Sequence, residues 1–229
     1  MSLRVAPNGH GSRSGSAPWQ HVLTALGVIG ATVAVHEAAH AIAASRVGGK
    51  VKEIGVGFGP PLLRVRIRSV PVVLRAFPLG GYAAVDAEAL PPLRRIPLLL
   101  AGPLANIAAG IPFLLAFRRH PVDVPASAHS ISLSGFAGTL GALIQAAERG
   151  PGSVARLAGA INVGLGLMNL LPVYPLDGGH VALSVMEATG VPLTTRTAFA
   201  RLTTAIFIFL ARAALLSDLR RASSGTRGR

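Results

Sequence analysis

The 229-residue sequence contains no cysteine, which excludes a disulfide framework and any metal site built from thiolates. Charged residues are also scarce, at 14% of the chain, compared with about 25% in soluble domains. Aromatic residues make up only 5%, too few for the stacking surfaces that bind single-stranded nucleic acids. Any bound metal must therefore be held by His, Asp or Glu.

Hydrophobic residues are abundant, at 51% of the chain with a mean hydropathy of +0.54. The 22 basic residues outnumber the 9 acidic ones, and nine of the basic residues lie between Arg46 and Arg95. Basic loops next to apolar segments are what the positive-inside rule describes. The charge therefore indicates membrane topology, and we expect a lipid bilayer and no nucleic acid as the partner.

Four apolar segments are long enough to cross a bilayer as helices. They cover residues 22–44, 96–117, 154–173 and 199–216. The predicted fold class is an all-α polytopic membrane protein with about four transmembrane helices. A further segment, 131–147, is less apolar and is predicted to be a surface or interfacial helix.

A small membrane-associated β-hairpin or sheet is predicted between the first two apolar segments. Residues 63–68 alternate strictly between aliphatic side chains and arginine, the period of a half-buried strand. Glycine and proline at 59–61 precede this run, and residues 51–58 and 71–77 read as neighbouring strands.

The predicted domain organisation is simple. Residues 1–20, rich in Gly, Ser, Pro and Arg, form a disordered leader. Residues 21–217 form one intramembrane domain, with its β-hairpin region at 49–85. Residues 218–229 form a disordered basic tail.

The motif His-Glu-Ala-Ala-His occupies residues 36–40, inside the first apolar segment. On a helix His36 and His40 face the same way, so both imidazoles can hold one zinc ion. Glu37 is then placed to take a proton from the attacking water. The same pattern can form a solvated polar face on a soluble helix, but ionisable groups within an apolar span indicate function.

Asp177 is the best candidate for a third metal ligand. It directly follows the third apolar segment, and Pro175 and Gly178 beside it break the helix where backbone would line a cavity. The alternative is that Asp177 is an N-cap for the next helix. His180 could approach the metal, but we interpret it as a neighbour of the ligands.

Three motifs together resemble the signatures of the site-2 protease family of intramembrane zinc metalloproteases. They are His-Glu-Ala-Ala-His at 36–40, Gly-Pro-Leu-Ala-Asn at 102–106 and Asn-Leu-Leu-Pro-Val-Tyr-Pro-Leu-Asp-Gly at 169–178. Residues 56–60 and 78–82 also resemble the re-entrant hairpin of the bacterial branch. The resemblance spans about residues 33–180.

The resemblance implies a set of roles. His36, His40 and Asp177 would ligate one zinc ion, and Glu37 would be the general base and later the proton donor. Asn169 and Asn106 are predicted to contact the substrate, although an amide in an apolar helix can equally form a helix-to-helix hydrogen bond.

The resemblance also implies single-span membrane proteins as substrates, trimmed beforehand by another protease, in regulated intramembrane proteolysis. The enzyme would be multi-pass in a bacterial cell membrane, with its active site toward the cytoplasm. Unlike the best-known bacterial members, this chain has only residues 118–152 where one or two PDZ domains would lie. The alternatives are a non-proteolytic membrane metal-binding or transport protein and an inactive scaffold of the same fold.

Overall fold

The computed structural model describes residues 17–120 and 136–225. Six α-helices, two long strands and one 3-10 turn follow one another in this part of the chain. The order is α1 (Pro18–Arg46), β1 (Val51–Ile67), β2 (Val70–Val85), the 3-10 turn (Ala87–Ala89), α2 (Pro92–Ala116), α3 (Phe136–Arg149), α4 (Pro151–Asn169), α5 (Asp177–Ala188) and α6 (Leu193–Gly225).

Three of the described helices are long and apolar enough to cross a membrane: α1, α2 and the Leu193–Leu216 part of α6. They correspond to three of the four predicted spans. The predicted span at 154–173 coincides largely with α4, which is not among the three. Arg156, Asn162 and several glycines lower its hydropathy, so three of the four predicted spans are long and apolar enough to cross a membrane.

The ends of the domain differ from the prediction. Helix α1 begins at Pro18, inside the predicted leader, because proline suits the first helical turn. Helix α6 continues to Gly225, beyond the predicted start of the tail at 218. The remainder of the leader (1–16) and of the tail (226–229) lies outside the described residues.

Strands β1 and β2 form the predicted hairpin and pair antiparallel. Their two-residue turn, Arg68 and Ser69, has positive φ angles of 45° and 73°, as type I′ hairpin turns require. Both strands bend, so that Ile54 in β1 faces Ala83 on one side and Val72 on the other. The three predicted strands are therefore parts of two longer ones.

Helices α2 and α4 cross at close range through glycines. A Cβ atom on Gly110 would lie 2.5 Å from the Gly159 carbonyl oxygen, and one on Gly159 would lie 2.9 Å from the Gly110 oxygen. About two helical turns further along α4, a Cβ on Gly166 would lie 2.6 Å from the Pro103 carbonyl oxygen. Small residues of this kind let helix backbones approach in membranes.

Helix α3 contains most of the segment that we predict to be interfacial, and residues 121–135 before it lie outside the described part. Its 14 residues extend about 21 Å, less than a bilayer core of about 30 Å. The helix does not lie apart from the bundle, because Leu143 is fully buried in a cluster with Ala25 and Ile29 of α1.

The glycine crossing can be tested with Gly159→Ala. The added methyl group must push α2 and α4 apart, and overpacking of this kind costs about 1–3 kcal/mol. We expect a lower unfolding midpoint in detergent micelles. Gly164→Ala in the same helix is the matched control, because a Cβ there meets nothing within 4 Å, and alanine favours a helix over glycine. Equal midpoints for the two variants would contradict the crossing.

Candidate metal centre and active site

Helix α1 carries three ionisable side chains on its buried face. His36 is 8% exposed, Glu37 is 8% and His40 is 7%. Burying such groups in an apolar span is costly unless each has a polar partner. The arrangement around α1 therefore depends on what faces these three residues.

Asp177 is the first residue of α5 and follows the irregular segment 170–176. This segment packs tightly against the start of α5: a Cβ on Gly178 would lie 2.4 Å from the Leu170 carbonyl oxygen, and one on Gly179 would lie 2.4 Å from the Tyr174 nitrogen. Glycine at both positions permits this close turn, which aims Asp177 at α1.

The three predicted ligands meet in one group. Asp177 Oδ2 lies 3.0 Å from His36 Nε2 and 3.4 Å from His40 Nε2, and the two Nε2 atoms are 3.0 Å apart. Across the described ranges, these are the three residues whose donor atoms come together within 4.8 Å as a possible metal site. Two imidazoles and one carboxylate match a catalytic zinc donor set.

Helix α2 faces both histidines along one stripe of its surface. The Leu98 carbonyl oxygen accepts a hydrogen bond of 2.8 Å from His40 Nδ1. One turn later, a Cβ on Gly102 would lie 2.3 Å from His40 Nε2 and 2.8 Å from His36 Nε2. Another turn later, the Asn106 amide lies 3.2 Å from His36 Nδ1. Helix α2 thus holds the far nitrogen of each ring and leaves the Nε2 side clear.

The Glu37 side chain lies where β2 of the hairpin packs against α1. A Cβ on Gly81 of β2 would lie 2.8 Å from Glu37 Cγ and 2.6 Å from the Val33 side chain. The strand can approach α1 this closely because it has glycine at that point. The Glu37 carboxylate, the possible metal ligands and the backbone of β2 therefore lie close together.

The charge state of the third ligand suits metal binding. Burial raises the pKa of the Asp177 carboxyl, but hydrogen bonding to His36 and His40 outweighs this and lowers the pKa to about 2. The carboxylate is consequently ionised at neutral pH. Burial lowers the pKa of the His180 imidazole below its usual value, which favours its neutral form.

Comparisons with known proteins show the family of this chain. The family model for Peptidase family M50 matches residues 24–211, most of the chain. This chain belongs to peptidase family M50. The match confirms the family that the three sequence motifs indicate.

Several relatives show similarity over part of their length. The chloroplast membrane metalloprotease ARASP of Arabidopsis thaliana is 36% identical over 104 residues, covering 39% of this chain and 23% of that protein. A candidate zinc metalloprotease of Synechocystis sp. is 27% identical over 179 residues, covering 77% of this chain and 35% of that protein. The chain spans less than half the length of these relatives.

A site-2 protease from Methanocaldococcus jannaschii is similar in structure. The alignment covers 86% of this chain and 74% of that protein, with 18% identity and a TM-score of 0.47.

The two predicted substrate-contact residues of this M50 chain each have a hydrogen-bond partner within the bundle. Asn106 is fully buried and its amide contacts a histidine, so it has no free face for a substrate. The Asn169 amide donates to the Leu165 carbonyl oxygen of its own helix at 3.0 Å. His180 packs against the Tyr174 ring, with centroids 4.7 Å apart, and is not part of the metal-type group.

Sequence reasoning missed several supporting contacts. The Leu98 carbonyl and the absent side chain of Gly102 carry no chemistry of their own, so only the packing of α2 on α1 reveals them. Thr203 is a further case: its hydroxyl oxygen accepts a 3.1 Å hydrogen bond from the Tyr174 nitrogen. This bond ties α6 to the segment that carries Asp177.

Proposed function

We propose that this protein is a zinc endopeptidase that hydrolyses peptide bonds within membrane-spanning segments of other membrane proteins. The observation that carries the proposal is the group of His36, His40 and Asp177 with Glu37 beside it. The two histidines and Glu37 are buried on a helix apolar enough to cross a membrane. Metal-assisted hydrolysis needs such a donor set and a nearby base. Family M50 membership supports the same reaction class.

The residues present fit zinc. Both imidazoles present Nε2 to the centre, because the Nδ1 atoms face the Leu98 carbonyl and Asn106. Three protein ligands leave one position for the reacting species, and Gly102 keeps side-chain atoms out of the space beside the two rings. The chemistry that zinc supplies when bound is Lewis acidity, which lowers the pKa of water and polarises a carbonyl oxygen.

Glu37 is the general base in this proposal. Its carboxylate accepts a proton from the attacking water and later returns it to the leaving amine. Proton transfer by a positioned side chain contributes about 10²–10⁴-fold to the rate. A carrier or store for metal ions has no need of a base adjacent to its first histidine ligand, so the presence of Glu37 favours hydrolysis over transport.

The substrate has to be extended to react, because a helix encloses its carbonyl groups in hydrogen bonds. Strand β2 offers a means of holding it. Residues 81–83 pair with residues 54–56 of β1 along one edge, and Gly81 lies against Glu37. An extended segment added beside β2 would place its carbonyl groups near the base. Asn169, half-buried at the end of α4, would hydrogen-bond the same segment.

In the finer features of the proposal, charge supports the orientation and family membership supports the kind of substrate. The basic stretch from Arg46 to Arg95 faces the cytoplasm, which puts the active site toward that side of a bacterial cell membrane. Helix α4, which packs on α2 through glycines, serves as a fourth span. The substrates are single-span proteins already trimmed by another protease, and cleavage serves regulated intramembrane proteolysis.

The base is tested with Glu37→Gln. We expect unchanged zinc content and a cleavage rate lower by about 10²–10⁴-fold, measured on single-span reporter proteins that the wild-type enzyme cuts in proteoliposomes. Glu148→Gln is the matched control, since Glu148 is exposed on α3, away from the histidines. Cleavage by Glu37→Gln at a rate near that of the control would refute the assignment.

We also propose that Asn106 positions His36 instead of binding substrate. When His36 gives its Nε2 to zinc, Nδ1 carries the hydrogen and needs an acceptor. The Asn106 Oδ1 atom is buried without a partner among the described residues, while Nδ2 lies next to His36 Nδ1. A 180° turn of the amide brings Oδ1 to Nδ1 and completes the hydrogen bond.

If Asn106 positions His36, two variants of Asn106 should differ in zinc affinity. Asn106→Leu removes the acceptor and should weaken zinc binding about 10- to 100-fold in competition with a chelator. Asn106→Asp keeps an acceptor and should stay near wild type. Asn162→Leu controls for loss of a helix amide, because Asn162 bonds to Thr32. Equal weakening in the Leu and Asp variants would show a packing role only.

A further inference from the structure

A cavity of about 870 Å³ lies beside the metal-type site and is lined by none of its three donor residues. Its walls come from the end of β2, the start of α2, helix α5 and the first half of α6. The lining combines three arginines with an apolar part. The arginines are Arg95, Arg196 and Arg201. The apolar part includes Leu99, which is half-buried, and Ala205 and Ile208, which are exposed on the open side of the cavity.

The rim of the cavity has an excess of positive charge. Arg95 and Arg196 each lie 3.1 Å from the same Glu187 oxygen, so one carboxylate serves two guanidinium groups. Asp86 also lines the cavity, but it pairs with Lys52 at 3.3 Å. Arg201 forms no ion pair with any residue in the described ranges.

One donor in this rim has no acceptor. The Arg196 Nε atom is buried and lacks a hydrogen-bond partner within the part of the chain that the structure describes. A buried N–H group without an acceptor costs free energy, and a guanidinium donor is best satisfied by a planar or tetrahedral oxyanion. Together with the positive charge of the rim, this unmet donor favours an anionic oxygen ligand.

The cavity extends from charged helix ends toward a more apolar part of α6. Arg95 lies in the first turn of α2 and Arg196 in the first turn of α6, so the cationic rim lies at the ends of two candidate spans. From Arg196 to Ile208 the α6 wall descends about 18 Å and becomes apolar. Helix ends lie at the membrane surface and helix middles in the hydrocarbon core.

From these features we propose that the cavity binds one anionic phospholipid, with its phosphate at Arg196 and Arg201 and an acyl chain along Leu99, Ala205 and Ile208. Basic pockets between membrane helices recognise anionic headgroups in this way. The cationic rim distinguishes such a lipid from a zwitterionic one. The proposal requires a membrane-embedded protein but no proteolytic activity.

The test counts bound lipid by native mass spectrometry of the full-length protein in detergent, with added phosphatidylglycerol or phosphatidylcholine. We expect the wild type to retain one phosphatidylglycerol at concentrations where phosphatidylcholine is lost. Arg201→Gln should weaken retention about fivefold. Arg196→Lys, which keeps a charge for Glu187 but removes Nε, should weaken it similarly.

Arg66→Gln is the control. Arg66 is exposed on the hairpin, so this substitution removes one positive charge away from the cavity. Its phosphatidylglycerol retention should equal that of the wild type, and zinc content reports that each variant is folded. Equal retention of the two lipids, or the same loss in Arg66→Gln, would overturn the proposal. Unchanged retention in both cavity variants would also overturn it and favour a peptide as the occupant.

Discussion

The burial of three ionisable side chains in α1 is the constraint on which the rest of the structure depends. His36, Glu37 and His40 lie within a helix apolar enough to span a bilayer, where polar groups without partners are costly. The neighbouring elements, whose backbones lie close to α1, supply the contacts. Helix α2 contributes a carbonyl oxygen, a missing side chain and an amide, spaced one helical turn apart, and β2 contributes a glycine against Glu37.

The close approach of α2 carries through to the third donor. Glycines at 110, 159 and 166 let α4 lie directly on α2, and the segment after α4 turns sharply through glycines 178 and 179 before α5 begins. Asp177 thereby reaches the two imidazoles. A methyl group at any of these glycines would meet backbone atoms. The placement of the Asp177 donor therefore depends on close packing between small residues.

Much of this could be predicted from the sequence, where the pattern is local. Apolar length predicts α1, α2 and α6, alternation predicts the hairpin, and the spacing of His36 and His40 predicts a shared face. Other features depend on contacts between distant segments. The role of Gly102 exists only once α2 lies on α1, and Asn106 turns toward His36 because of the same contact. The fourth predicted span, at α4, stays a prediction, because Arg156 and Asn162 make this helix less apolar than the other three.

The most direct test of the account is the zinc content of the protein purified in detergent, compared between wild type, Asp177→Ala and His180→Ala. A site made by α1 and the start of α5 predicts one zinc ion per chain in the wild type and in His180→Ala, and strongly weakened binding in Asp177→Ala. Tight zinc binding that survives Asp177→Ala would contradict the three-donor centre, and loss only in His180→Ala would move the third ligand to that residue.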